Sequence, residues 1–322
     1  KNIAQKMVAV LESPPAAPDY PPLLHWCGVA SQALFGGKEN TLKTLSVLFL
    51  GALLLGFYCM SRQLLPPLGA LLSTIGMGLT PGVGWHVCDF STSLLSMALV
   101  VWAVYFLMRS KGFQRPGFIF TFALLAGLTM LASRGVVLRL AAAATLLWIT
   151  GLWMAFSSNE KEENRLWLRV ILYGIMALTV TLSVSGTWYI KNIDHLATAD
   201  AGTEVFCTPV LAVSPPENPP APTKAEERLT GWRFSGDRGR IAGYTWLALA
   251  GLGALLSLVL PRFHRSATAA MLGWLAASTA LSFLPGWEAS CASDRVVTAF
   301  FALLFLVTIT GMGRKDIPEE DS

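Results

Sequence analysis

Histidine and carboxylate pairs are the residues of this chain best suited to acid–base chemistry. His195 and Asp200 stand five positions apart, and His86 and Asp89 stand three apart. A histidine oriented by a carboxylate can act as a general base toward a hydroxyl group or a water molecule. The chain has only four histidines. A histidine near an aspartate in a connecting segment is more often part of a solvated loop than of an active site. We therefore interpret both pairs as weak catalytic candidates.

Two short strings that combine histidine, tryptophan and cysteine bear on metal binding. One contains His25 and Cys27, and the other contains His86, Cys88 and Asp89. Imidazole, thiolate and carboxylate groups are ligands of zinc and copper. Neither string has the C-x-x-C spacing that is typical of a zinc site, and tryptophan beside them suits an anchor at a membrane interface. We predict no bound metal and no cofactor.

The cysteines favour an oxidising compartment. Cys27, Cys88, Cys207 and Cys291 fall in segments that we predict to lie outside the membrane, whereas Cys59 lies near the end of the first apolar stretch. Four outer cysteines suggest two disulfides and allow three pairings. We favour Cys27–Cys88 and Cys207–Cys291, because each would join outer segments that flank neighbouring helices. The alternative is a set of unrelated, buried free thiols.

Nine apolar stretches position these residues, and no ionisable side chain lies at the centre of any of them. They run over residues 44–60, 64–84, 90–108, 116–133, 140–156, 170–190, 242–260, 266–284 and 296–313. A bilayer core about 30 Å thick requires about 20 apolar residues in a helix, and lipid offers the backbone no hydrogen-bond partner. The sequence therefore predicts an all-α, polytopic integral membrane protein with about nine transmembrane helices. If the proline- and glycine-rich stretch 64–84 is a re-entrant hairpin, the number is eight.

The stretches divide the chain into five parts. We predict an outer N-terminal segment (1–43) with an amphipathic helix and a proline-rich spacer, followed by a membrane bundle of about six helices (44–190). A long outer proline-rich loop (191–240), a three-helix membrane unit (241–313) and a cytoplasmic tail (314–322) complete the chain. A removed signal peptide and a fragment would both explain a first residue other than methionine.

Basic residues set the predicted orientation. The connections on one side and the C-terminal tail hold eleven lysines and arginines, against three in the short connections of the other side. Cytoplasmic segments carry such an excess, so we predict an outer N-terminus and a cytoplasmic C-terminus in a bacterial inner membrane. Arg134 and Arg139 lie on the outer side against this bias, where they could bind lipid headgroups or snorkel to the interface.

The sixth stretch carries hydroxyl side chains at helical spacing. Thr179, Ser183 and Thr187 share one face, and Gly186 lies beside them. Hydroxyl groups and glycine permit close contact between membrane helices, and a polar transport path is the alternative. Membrane helices without central charges argue against an ion-coupled transporter.

Composition limits the classes of function. The net charge of +4 comes without a block of basic residues, so we expect membrane lipids and proteins as partners and no nucleic acid. The preferred hypothesis is a non-catalytic inner-membrane subunit of a larger envelope assembly, such as a secretion or conjugation machine. One alternative is a transporter or lipid flippase that uses the 64–84 stretch and the hydroxyl face. The other is a membrane-bound transferase for lipid or glycan carriers, with the His–Asp pairs as its bases.

Overall fold

The computed structural model is all-helical in the residues that it describes, which confirms the all-α part of the predicted fold class. The described residues are 22–35, 39–79, 83, 87, 92–133, 136–157, 166–191, 265–283, 297–298, 300–302 and 304. Within them there is no strand. The helices are α1 (Leu23–Phe35), α2 (Glu39–Ser61), α3 (Pro67–Gly78), α4 (Thr92–Arg109), α5 (Pro116–Met130), α6 (Val137–Ser157), α7 (Leu166–Lys191) and α8 (Arg265–Phe283).

Four of these helices are long and apolar enough to cross a bilayer. The segments concerned are Thr41–Ser61 in α2, Thr92–Arg109 in α4, Val137–Phe156 in α6 and Leu166–Lys191 in α7. They coincide with the first, third, fifth and sixth predicted stretches. Helices α3 and α5 are shorter than their predicted stretches. The predicted stretch 242–260 and most of 296–313 lie outside the described residues.

Proline sets the first residue of two helices. Arg115 and Pro66 have extended backbones, with ψ of 105° and 162°, and the residues that follow them, Pro116 and Pro67, occupy the first turns of α5 and α3. A proline disfavours the helical conformation in the residue before it, and its own fixed φ suits the first helical position. The Arg-Pro and Pro-Pro pairs therefore explain where α5 and α3 begin.

Helix α1 was not predicted from the sequence. It begins directly after Pro22, and the Leu23 amide donates a hydrogen bond to the Leu131 carbonyl at the end of α5, at 3.1 Å. Leu24 is buried against Leu95 of α4. The helix therefore packs on the ends of α4 and α5, in a part of the predicted outer N-terminal segment for which we predicted no helix. The amphipathic helix predicted over residues 1–12 lies outside the described residues.

Helix α4 is the centre of the bundle. In α4, 72% of its apolar 18-residue stretch is buried, compared with 17% of the corresponding 18-residue stretch in α7. It packs against α2 on one side and α5 on the other, and it also contacts α8. Helix α7 lies against α5 and α6, and α6 in turn packs on α8. The least buried long helix therefore lies at the edge of the bundle.

An indole–carbonyl bond joins α4 to α2. Trp102 Nε1 donates to the Ala52 carbonyl at 2.9 Å, and the indole lies over Gly56, where a Cβ would come within 2.8 Å of Nε1. The acceptor is four residues before the glycine, which is the carbonyl that the glycine amide bonds in a regular α-helix. Since glycine has no side chain, the indole can reach a carbonyl that is also used inside the helix.

The same arrangement joins α6 to α7. Trp148 Nε1 donates to the Val170 carbonyl at 3.0 Å, and the indole lies over Gly174, where a Cβ would come within 2.7 Å of Nε1. Again the acceptor is four residues before the glycine. Phe156 stacks on Trp167 with ring centroids 6.0 Å apart. Because the end of α6 thus meets the start of α7, the two helices are antiparallel.

Helices α5 and α7 run parallel and in close contact. A Cβ at Gly127 would come within 2.7 Å of Val184 Cβ, so the two backbones approach closely only because residue 127 is glycine. Further along both helices, the Tyr189 hydroxyl donates to the Met130 carbonyl at 2.9 Å. Because the contacts follow the same order along both helices, the two helices are parallel.

Helix α8 completes the described core. A Cβ at Gly273 would come within 2.7 Å of the Ala142 carbonyl oxygen, so α8 lies directly on α6. Trp274 Nε1 donates to Thr298 Oγ1 at 3.0 Å. The Phe57 and Phe300 rings meet edge to face at 5.5 Å, which links the helical residues near 300 to α2.

Helices α2 and α4 run in the same direction. Leu42, near the start of α2, packs in the same apolar cluster as Leu95, near the start of α4, and the Trp102–Gly56 contact lies further along both helices. Helix α3, with 12 residues and a length of about 18 Å, lies in the connection between them and packs on α2. Most of residues 80–91 lie outside the described residues, so the choice between a crossing and a re-entrant hairpin for 64–84 stays a prediction.

We expect the Trp148 bond to contribute measurably to stability. Trp148→Phe removes the hydrogen bond and should lower the unfolding free energy by about 1 kcal/mol. The matched control is Trp153→Phe on the same helix, where the side chain is 72% exposed. Thermal unfolding in detergent would show a lower Tm for Trp148→Phe than for Trp153→Phe. Equal Tm values would mean that the bond does not stabilise the α6–α7 pair.

Candidate functional site

The catalytic candidates from the sequence lie outside the described residues. This applies to His195, Asp200, His86 and Asp89, so both pairs stay predictions. Among the residues that the structure does describe, no group of three histidine, cysteine, aspartate or glutamate side chains could hold a metal ion.

The described cysteines carry free thiols. Cys27 in α1 and Cys59 in α2 are both half-buried and form no disulfide. The predicted Cys27–Cys88 disulfide therefore has no support in the structure, and Cys88 itself lies outside the described residues. Cys207 and Cys291 also lie outside them, so their disulfide stays a prediction. Burial raises the pKa of the Cys27 thiol.

The hydroxyl face predicted on the sixth stretch lies on the outer side of α7. Thr179, Ser183 and Thr187 are exposed. Thr179 Oγ1 donates to the Ile175 carbonyl at 2.9 Å, and Ser183 Oγ donates to the Thr179 carbonyl at 2.7 Å. A Cβ at Gly186 would meet only Leu182 of the same helix, at 4.0 Å. This face is not packed against the other described helices.

A second pair of hydroxyl groups forms the inner face of α7. Thr181 Oγ1 donates to the Ala123 carbonyl of α5 at 3.1 Å. Ser185 is fully buried, and its hydroxyl lies 3.4 Å from Met130 Sδ and 2.9 Å from the Thr181 carbonyl oxygen. Positions 181 and 185 have the same i, i+4 spacing as 179 and 183, and helical spacing alone does not say which pair faces a neighbour.

The structure describes only one of the two arginines that were predicted to contact lipid headgroups. Arg139 is 4% exposed in the first turn of α6, so its side chain does not reach the outer surface of the structure. Arg134 lies outside the described residues. The predicted headgroup contact therefore has no support at Arg139 and stays a prediction at Arg134.

A cavity of about 410 Å³ lies between α5, α6 and α7, within the size range of small-molecule sites. Aliphatic, aromatic and glycine residues make up nearly all of its lining. The lining residues are Phe113, Phe122, Ala126, Thr129, Met130, Val137, Leu140, Ala141, Ala144, Thr145, Trp148, Gly174, Ile175, Ala177, Leu178, Thr181 and Leu182.

The buried polar groups of the lining already have partners. Thr129 Oγ1 and Thr181 Oγ1 donate to backbone carbonyls at 2.7 and 3.1 Å, and Trp148 Nε1 donates to a third carbonyl at 3.0 Å. The remaining hydroxyl, that of Thr145, stands at the exposed rim. The interior therefore suits an apolar guest, because a polar guest would lose its hydrogen bonds to water without replacement.

The cavity opens on the side of the bundle. Its exposed lining residues are Ala141, Thr145, Ile175, Leu178 and Leu182 of α6 and α7. The surface beyond this rim is also apolar, since other large hydrophobic side chains of the same two helices are exposed. A guest can thus enter from an apolar surface.

The turn between α4 and α5 closes one end of the cavity. Lys111, Gly112 and Phe113 all have positive φ, of 50°, 72° and 64°, a conformation that costs about 1–2 kcal/mol for each residue with a side chain. A Cβ at Gly112 would come within 2.9 Å of Gly151 Cα, so the turn rests directly on α6. This unusual backbone directs Phe113 into the cavity lining and leaves Lys111 exposed.

Basic residues collect at the end of the bundle where this turn lies, which we call the basic end. Here α2 and α4 end, α5 begins, and the start of α7 meets the end of α6. The basic end holds Arg62, Arg109, Lys111, Arg115 and Arg169, and the opposite ends of α2–α7 hold Lys43, Arg139 and Lys191. No described residue at the basic end is acidic.

Comparison with protein-family models, with curated proteins and with solved structures finds no match to this chain.

The cavity is not evident from the sequence. Its lining comes from three helices that are apolar on most of their surface, so no amphipathic pattern marks the lining side. The sequence does contain glycine and tryptophan residues that meet in the structure, such as Gly174 and Trp148. Such a pair can be identified as a contact only when the two helices are known to be neighbours.

We expect the turn to depend on Gly112. Gly112→Ala should lower the unfolding free energy by about 2 kcal/mol, because the added Cβ meets Gly151 and the backbone has positive φ. Gly117→Ala is the control, since a Cβ there has no atom within 4 Å and alanine favours the helix. Chemical unfolding in detergent should show a loss for the first variant and none for the second. Equal stabilities would contradict the role of Gly112.

We expect Cys27 to react as a buried free thiol. Because the thiolate is the reactive form, its raised pKa should make alkylation by iodoacetamide at pH 8 slower than that of glutathione, with a rate that continues to rise above that pH. After unfolding, Cys27 should be labelled without a reductant, as peptide mass spectrometry would show. Labelling only after reduction would instead establish a disulfide.

Proposed function

We propose that this chain is a multi-pass integral membrane protein and a non-catalytic subunit of a larger membrane assembly of the cell envelope, of the secretion or conjugation type. The observation that carries the assembly role is the outer face of α7. This helix has 26 residues, and only 17% of an apolar 18-residue stretch within it is buried. A helix at the edge of a bundle is available to a partner.

The location in a membrane is supported by length and by the exposed side chains. A membrane-length helix whose aliphatic side chains are not packed is stabilised by lipid rather than water. Exposed residues of this kind occur on each of α2, α6 and α7, for example Leu55, Ile149 and Leu172. The nine predicted crossings belong to this proposal.

The outer face of α7 has the chemistry of a helix–helix contact. Membrane helices associate through small residues that let backbones approach closely and through hydroxyl groups. Gly186 and the neighbouring Ser183 and Thr187 supply both on the exposed side. The Ser183 hydroxyl bonds to its own helix, so it adds no unsatisfied group to an apolar interface.

The charge at the two ends supports the proposed orientation. Among the described residues from α2 to α7, five basic residues lie at the basic end and three at the opposite end, and the cytoplasmic side of a membrane protein carries such an excess. We assign the basic end to the cytoplasm of a bacterial inner membrane, with the N-terminus outside and the C-terminus cytoplasmic.

The lateral cavity favours a second candidate function, the handling of a lipid as in a flippase. A route formed jointly by the glycine-rich second stretch and the outer α7 face is not supported, because α3 packs on α2 whereas α7 packs on α5 and α6. The cavity between α5, α6 and α7 would be the site in this case.

The subunit proposal is tested by purification in mild detergent and mass spectrometry. The chain should resist carbonate extraction and co-purify with a stoichiometric protein partner. Gly186→Leu should reduce the co-purified partner by roughly fivefold, which corresponds to about 1 kcal/mol. The matched control is Gly51→Leu on α2, where a Cβ has no atom within 4 Å.

The outcomes separate the parts of the proposal. Extraction by carbonate would reject the membrane location. A monodisperse monomer without partners would reject the assembly role, and equal partner recovery with both leucine variants would reject α7 as the contact. A second copy of the chain as the only partner would make the assembly a homo-oligomer.

A further inference from the structure

We propose that the cavity between α5, α6 and α7 binds one acyl chain of an anionic phospholipid, whose phosphate lies at the basic end of the bundle. This inference rests on the proposed membrane location, but it requires no partner protein.

The shape of the cavity selects a chain-like guest. Its lining on α6 runs from Val137 to Trp148, a distance of about 16 Å along the helix axis. A volume of about 410 Å³ over this length corresponds to a mean width of about 6 Å. An α-helix with its side chains is about 10–12 Å wide, so a helix of another protein does not fit, whereas an extended hydrocarbon chain does.

The chemistry of the lining excludes a polar guest. The buried hydroxyl groups and the Trp148 indole all donate to backbone carbonyls, as described above. An acyl chain requires no hydrogen bond, and its methylene groups can pack against the aliphatic and aromatic side chains of the lining. The lining thus offers a lipid tail contact without an unmatched polar group.

The lateral opening determines the source of the guest. The rim residues Leu178 and Leu182 are exposed and continue into the apolar outer surface of α7. In the proposed membrane location this rim faces the hydrocarbon region, where phospholipid tails are the abundant apolar molecules. A tail can therefore enter sideways without passing through water.

Charge at one end of the cavity determines the headgroup. Phe113 lines the cavity and stands between Lys111 and Arg115 in sequence, and Arg169 begins α7 at the same end. A phosphate attached to a tail in the cavity would meet these cations, which attract anionic lipid. The described charged residues of this end are all basic; the connection 158–165, which lies outside the described residues, contains Lys161, Arg165 and three glutamates.

The acyl-chain site is tested with a phosphatidylglycerol that carries a photoactivatable diazirine in one acyl chain. The full-length protein in mild detergent should crosslink through peptides of α5, α6 and α7. Ala144→Phe fills the cavity and should reduce crosslinking by roughly fivefold or more. Thr145→Phe narrows the rim at an exposed position and keeps the test valid if Ala144→Phe fails to fold. Ala276→Phe, an exposed alanine on α8, is the matched control and should leave crosslinking unchanged.

The headgroup is tested with charge variants. Lys111→Gln combined with Arg169→Gln should weaken phosphatidylglycerol binding by roughly fivefold for each cation removed, and high salt should have a similar effect on the unmodified protein. Lys43→Gln combined with Lys191→Gln removes two exposed cations from the opposite end and should leave binding unchanged. Phosphatidylcholine with the same photoreactive tail should crosslink less.

Each outcome supports or overturns a defined part of the inference. Crosslinks outside α5–α7, or equal crosslinking by Thr145→Phe and Ala276→Phe, would overturn the acyl-chain site. The headgroup assignment would be overturned if the double variant at Lys111 and Arg169 bound phosphatidylglycerol as well as the double variant at Lys43 and Lys191, and if phosphatidylcholine bound as well as phosphatidylglycerol. Because resistance to carbonate extraction is measured independently, these failures differ from a failure of the proposed membrane location.

Discussion

Glycine permits the closest contacts between the helices of this protein. At Gly56 and Gly174 an indole from a neighbouring helix reaches a backbone carbonyl one turn earlier, and at Gly127 and Gly273 side-chain or backbone atoms of the next helix occupy the place of a Cβ. In the proposed membrane location, two helices would gain little from burying one another's aliphatic side chains, so close packing and a few hydrogen bonds would hold them together. These contacts position α2 against α4, and they position α5, α6, α7 and α8 relative to one another.

The indole bonds also explain why a cavity persists beside tightly packed helices. Trp148 is anchored on α7 near the start of that helix, and the Gly127 contact anchors α5 on the same helix farther along. Helices α5 and α6 are thereby both held against α7, while they pack little against each other. The space between them remains open on the side. A soluble core would collapse around such a space or fill with water, whereas a lipid tail can occupy it without either change.

The turn at residues 111–113 lies between the apolar cavity and the positive charge of the basic end, on which the lipid proposal depends. Its positive φ angles place an aromatic side chain in the cavity and a lysine outside it. Such a backbone is unfavourable for residues other than glycine, and it persists here because Gly112 lies against Gly151. The result is that the apolar cavity ends next to a concentration of positive charge. A molecule with an apolar tail and an anionic headgroup matches both features, and a purely apolar or purely charged molecule matches one.

The sequence by itself determined the long apolar helices, and the tertiary structure decided how they are paired. Apolar length predicted the four long helices, and the Arg115-Pro116 pair explains the first residue of α5, because these properties depend on neighbouring residues in the chain. The sequence did not predict α1, since its helix is stabilised by contacts with the distant ends of α4 and α5. Nor did it distinguish the inner hydroxyl pair Thr181 and Ser185 from the outer pair Thr179 and Ser183, which have the same spacing. Helical periodicity defines a face, but a helix that is apolar on most sides carries no local mark of the neighbour that this face meets. The cavity also depends on tertiary structure. It forms between three such helices, whose spacing is set by contacts between residues far apart in the chain.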